Sequence, residues 1–85
     1  MFEDAGRVMF TALAEAARTR LGAEHPCVAA LERAAEDPAT RPGAEAALRA
    51  LPEAEQVAIM AAAHARLRSD PAAWLALWSG GRRPN

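Results

Sequence analysis

The sequence predicts an all-α protein: a compact bundle of four to five short helices arranged around an alanine-rich helix at about residues 52–68. Three observations carry that expectation. Alanine supplies 24 of the residues, every basic residue is arginine, and Leu and Glu are frequent, so the composition favours helix throughout. β-Branched residues are scarce, with three valines, one isoleucine and three threonines, which argues against strands. Six prolines and five glycines fall mostly between apolar-periodic stretches, where they divide the chain into short helices.

Residues 3 to 21 read as the first helix. Met9, Phe10, Leu13, Ala17 and Leu21 recur on one stripe, and Arg7, Thr11, Glu15 and Arg18 fall opposite. Gly22 suits the position after a helix end, and Pro26 bars continuation. A second helix is expected from Pro26 to about Glu36, with Val28, Leu31 and Ala35 inward and Cys27 and Ala34 flanking them. Asp37 to Gly43, DPATRPG, holds two prolines and a glycine, and reads as a turn. Ala44 to Leu51 is a short third helix carrying Leu48 and Leu51. Pro52 cannot lie within it, so a corner is expected at Leu51–Pro52.

Pro52 to Arg68 then supplies the predicted central helix. Between Val57 and His64 no polar residue intervenes, and a helix apolar on nearly every side needs neighbours all round. Glu53 and Glu55 near its start and Arg66 and Arg68 near its end agree with the helix dipole. Ser69-Asp70-Pro71 is a capping signal. It opens a last predicted helix, Pro71 to about Ser79, ended by Gly80-Gly81. Trp74 and Trp78 share a face there. Residues 1–81 are expected as one domain and 82–85 as a disordered tail.

Eighty-five residues make one domain with a modest core, whose stability gains from association. The single cysteine forms no internal disulfide, which fits a reducing cytoplasm. Acids near the start leave no basic region for a secretory leader, and no apolar run is long enough to span a bilayer. Arginine without lysine reads as the codon bias of a GC-rich bacterial genome. The formal charge is −1. Residues 1–56 hold six Arg against ten Asp and Glu, and residues 57–85 hold four Arg against one Asp, an asymmetry that suits solvated faces.

Two stretches resemble known families. LERAAEDPA at 31–39 and ARLRSDPAA at 65–73 resemble each other at a spacing similar to the period of tetratricopeptide repeats. The aromatic and glycine positions of that family are missing. ALPEAEQVAI, residues 50–59, resembles the opening helix of the helix-turn-helix in sigma-factor region four, which implies DNA binding. The segment that follows carries tryptophans in place of a basic or polar reading face.

Chemistry-bearing residues are few. His25, Cys27 and His64 are the soft ligands, without zinc-site spacing. The plainer reading makes Cys27 a small buried hydrophobe and puts His25 at a helix start. His64 shares a face with Val57, Met60, Ala61 and Leu67 and reads as a packed residue, or else a pH-sensitive or contact group. No phosphate loop, no His-Glu-x-x-His and no activated nucleophile is present, so no enzyme activity, metal or cofactor is expected. The tryptophans either settle on the central helix, where alanines at 58, 61, 62 and 65 leave room, or act as an exposed anchor. The expected function is that of a small, non-catalytic bacterial interaction or regulatory protein of the cytoplasm. It would bind another protein or itself through Trp74, Leu77 and Trp78, with Met9 and Phe10 behind them. A small helical DNA-binding regulator, resting on Arg66, Arg68, Arg82 and Arg83, is the alternative.

Overall fold

The computed structural model describes the backbone of residues 2–70 and the side chains of residues 5–70. Four α-helices follow in order, α1 (Phe2–Leu21), α2 (Pro26–Glu36), α3 (Arg41–Arg49) and α4 (Glu53–Arg68), with a single 3-10 turn at Pro38–Thr40. No strand occurs among the described residues. The all-α bundle is what composition and periodicity predict. The predicted helix 71–79 and the tail 82–85 lie outside the described residues.

Each boundary has a local cause. Gly22 takes φ +99° and its N–H donates to the Arg18 carbonyl at 2.9 Å, a left-handed helix end that glycine tolerates best. His25 caps α2, its Nδ1 accepting the Cys27 N–H at 3.0 Å, and Pro26 occupies the first turn, where no donor is needed. The stretch predicted as a plain turn is largely helical. Asp37 Oδ1 accepts the Ala39 N–H at 3.0 Å and starts the 3-10 turn, and α3 begins at Arg41, three residues earlier than expected. Prolines 38 and 42 both sit in first turns, which is the one helical place that accommodates them.

At the predicted corner Pro52 is extended, with φ −54° and ψ 147°, and its carbonyl accepts the N–H groups of Glu55 and Gln56. The Gln56 Nε2 reaches back to the carbonyls of Arg49 at 3.1 Å and Leu51 at 2.8 Å. One side chain thus satisfies acceptors that the end of α3 leaves open.

The centre of the bundle differs from the expectation. It is α1 that packs on both α2 and α4, burying Phe10, Leu13, Ala14 and Ala17 along one line and Ala12 and Ala16 along another. The helix predicted as the central post, α4, buries only Ile59, Ala63 and Leu67. These stand four apart, a single narrow line, and Val57 is 61 % exposed. The physical reason is alanine. It counts as apolar, yet it is also the best helix former and costs little in water. Ala54, Ala61, Ala62 and Ala65 are exposed, so the run 57–63 is rich in helix formers without being a core on all sides.

Two ion pairs bridge α1 and α4 at the surface and mark their relative direction. Arg20 Nε reaches Glu55 Oε1 at 2.6 Å and Arg66 Nη1 reaches Glu15 Oε1 at 3.1 Å, so the two helices run antiparallel. Arg41 ties three helices together from α3. Its Nε donates to the Ala34 carbonyl of α2 at 2.8 Å, and its guanidinium stands 5.3 Å from the centre of the Phe10 ring of α1.

Candidate interaction cleft

The mutual placement of α1, α3 and α4 leaves a cleft. Both α3 and α4 have another packing partner, α2 and α1 respectively, and the two touch each other little beyond their shared corner. Between them the surface of α1 stays open. The cleft measures about 380 Å³; Met9, Phe10, Leu13 and Leu31 form its apolar base, and Leu48 and Met60 its walls. Glu45, Arg49 and Gln56 stand at its polar edge. Its size falls within the range of small pockets in proteins, and its mostly apolar lining with a few polar groups suits an apolar ligand or side chain.

Met60 extends the apolar surface outward. It is 36 % exposed, and with Val57 it is one of two large hydrophobic residues exposed among the described residues. By helical spacing Glu53, Val57, Met60 and His64 share this side of α4. His64 is exposed, so the packed position expected for it is not observed. Leu67, placed on the same face by the sequence reading, instead points into the core, 3 % exposed.

Met9 and Phe10, expected at a contact, lie at this cleft. Met9 is half-buried, while Phe10 is buried beneath Arg41 and forms part of the base. Trp74, Leu77 and Trp78 lie outside the described residues. The sequence reading missed Leu13 and Leu48 as cleft residues, and it missed the edge residues Glu45, Arg49 and Gln56 altogether. Leu48 carried a signal as one of the few large apolar residues of a short helix. The edge residues carried none, because charged and amide side chains at helix surfaces are common everywhere.

The soft ligands do not assemble. Cys27 is 2 % exposed within the core, and burial pushes its thiol pKa above the ordinary value, which disfavours the thiolate needed for nucleophilic or metal chemistry. His25 uses its Nδ1 as the cap of α2, and His64 is exposed on α4. Among the described residues no cluster of His, Cys, Asp or Glu could hold a metal ion.

Four of the eight arginines among the described residues pair with carboxylates. Arg7 pairs with Glu36 at 3.3 Å, Arg18 with Glu32, Arg20 with Glu55 and Arg66 with Glu15. The hydrogen bond that Arg20 donates to Glu55, and then the Glu55 charge, push the Arg20 pKa further up. The other side of α4 offers a second hollow of about 600 Å³ at Ala16, Ala58 and Ala62, but Thr19, Arg20, Glu55 and Arg66 enclose it. Of the alanines expected as sockets for large rings, Ala58 and Ala62 therefore sit among ion-paired side chains.

Among the described residues no helix is long and apolar enough to cross a membrane. Fold and cleft together describe a small all-α bundle with an apolar cleft among the described residues. No family model, curated protein or solved structure matches the chain.

Proposed function

We propose that the chain is a small, non-catalytic interaction or regulatory protein of the bacterial cytoplasm, binding a protein partner through an apolar helical surface. The carrying observation is the cleft between α1, α3 and α4, lined by Met9, Phe10 and the exposed Met60, with Val57 exposed one helical turn before Met60 on α4. Apolar surface left exposed beside a shaped hollow is the common mark of a binding surface. The tryptophan segment, Trp74, Leu77 and Trp78, is its second apolar contributor, since tryptophan is enriched among residues that dominate binding energy.

DNA binding is the rival class. It has less support: of the arginines it rests on, Arg66 already meets Glu15, the chain carries a formal charge of −1, and a reader of DNA needs a basic surface.

The test is recovery of the full chain with whatever it binds in its own cells, followed by measurement of mass and stoichiometry. The wild type is compared with Met60→Asp and with Ala29→Asp, a charge at an exposed position of α2. A protein complex of fixed stoichiometry is expected for the wild type and the control, and its loss for Met60→Asp. A lone monomer in all three contradicts the proposal, as does retention of nucleic acid that weakens steeply with salt.

A further inference from the structure

We propose that His25 is an acid-sensitive cap: its neutral ring holds the first turn of α2 closed, and protonation of the ring opens that turn and uncovers Cys27. The inference stands on the fold alone and is independent of the cleft.

The first turn of α2 depends on one lone pair. Pro26 brings no N–H, and the Val28 N–H donates to the His25 carbonyl at 3.0 Å. That leaves the Cys27 N–H, which donates to His25 Nδ1 at 3.0 Å. Cys27 is 2 % exposed, so water is a poor substitute for the ring, and a buried donor without an acceptor is costly. The bond also fixes the proton of the neutral imidazole on Nε2, because Nδ1 must keep its lone pair to accept. Serine, threonine, aspartate and asparagine are the usual residues at such a position. Each of them still offers an oxygen in mild acid, whereas an imidazolium offers no acceptor, since both its nitrogens are donors.

The surroundings do not offset that change. An imidazolium stands at the positive end of the α2 dipole, and α2 has no acidic residue in its first turn. Among the described residues no carboxylate pairs with the ring; Glu24, next in the chain, is exposed. The end of α1 presents Arg18 and Arg20, paired with Glu32 of α2 and Glu55 of α4. From α3, Arg41 reaches α2 towards its other end, at the Ala34 carbonyl.

Acid therefore acts in one direction. The closed turn excludes a proton from Nδ1 and the open turn accepts it, so the open form binds more protons and gains as pH falls. The cap is complete above the range in which histidines titrate and is lost below it. Behind the turn lie Cys27 and Val28, both buried, and opening it uncovers the only thiol in the chain.

That thiol is the reporter. His64 is replaced throughout, as His64→Gln, which leaves His25 as the only histidine. Reaction of Cys27 with dithiodipyridine, which thiols attack in mild acid as well as at neutrality, is measured relative to N-acetylcysteine at the same pH, so that the chemistry of the reagent cancels. Between about pH 7.5 and about pH 5.5 the relative rate is expected to rise about 2- to 30-fold, the factor that a lost helix cap carries. His25→Asn, whose carboxamide accepts at both pH values, is expected to stay slow throughout. His25→Ala is expected to react fast at both.

A relative rate that does not change with pH while His25 is present overturns the proposal, as does an equal rise in His25→Asn. A second measurement needs no variant at position 25. The imidazole nitrogen chemical shifts of the folded chain at neutral pH are expected to place the proton on Nε2, and a proton on Nδ1 contradicts the cap.

Discussion

Gly6 is a helix residue whose value lies in having no side chain. A Cβ built there would meet Arg41 Nη1 at 2.2 Å and Cζ at 2.8 Å, so Gly6→Ala must displace the guanidinium from Phe10 and from the Ala34 carbonyl. Opposing terms set the outcome. Alanine gains about 1 kcal/mol of helix propensity. Losing a hydrogen bond from a charged donor costs roughly 1.5–3 kcal/mol and the contact with the ring about 0.5–1 kcal/mol. Net destabilisation of about 1–3 kcal/mol is expected by urea unfolding. In an Arg41→Ala background the same change should stabilise, because only the propensity remains. Equal effects in both backgrounds would remove Arg41 from the explanation.

Cys27 offers a test of the core. Its unfolded thiol ionises near the ordinary value of about 8.5, and burial raises the folded value above that. As pH rises past the unfolded value, the unfolded chain holds fewer protons than the folded one, so this contribution to stability is complete below about pH 8 and declines as pH rises. Urea midpoints are expected to fall with pH there in the wild type, with the decline reduced in Cys27→Ala. A flat wild-type profile would mean that Cys27 is not shielded.

For whole helices, α2 shows how well periodicity served. Its bounds and its buried residues Cys27, Val28, Leu31, Ala34 and Ala35 follow from the pattern of large and small apolar residues, with charges opposite. In α4 the same reasoning found the bounds, Glu53–Arg68, but overstated the burial, because alanine carries two meanings that sequence cannot separate: core filler against a neighbour and helix former in water. The earlier start of α3 was legible in principle. Asp37-Pro38 repeats the Asp-Pro signal recognised at Asp70-Pro71, but a second proline and a glycine nearby outweighed it. The cleft itself was only half legible. Met9 and Phe10 announced themselves on the stripe of α1, whereas Leu48, Met60 and the polar edge meet only through the corner at Pro52, which sequence spacing does not convey. The one-sided burial of α4 sets its mutational profile. Ile59→Ala empties a fully buried position and should cost about 2–5 kcal/mol. Val57→Ala, two residues away and mostly exposed, should stay within about 0.5 kcal/mol. Comparable losses at both would restore α4 to the middle of the bundle.

In the molecule taken together, a short chain with few large side chains builds its bundle on α1 and leaves apolar surface at the junction of α1, α3 and α4. A core of this size gains stability from anything that binds only the folded form. Occupation of the cleft by the proposed protein partner would link that stability to function. Methionine methyl groups report on the surface directly, since Met9 and Met60 both line it. The decisive measurement compares their methyl resonances in the free full-length chain with those in the complex isolated from its own cells. The expected result is that the Met9 and Met60 signals both move on complex formation, while the methyl groups of Val28, buried on α2, hold their positions. A complex that leaves both methionine signals where they were would place the contact elsewhere and contradict the assignment of the cleft.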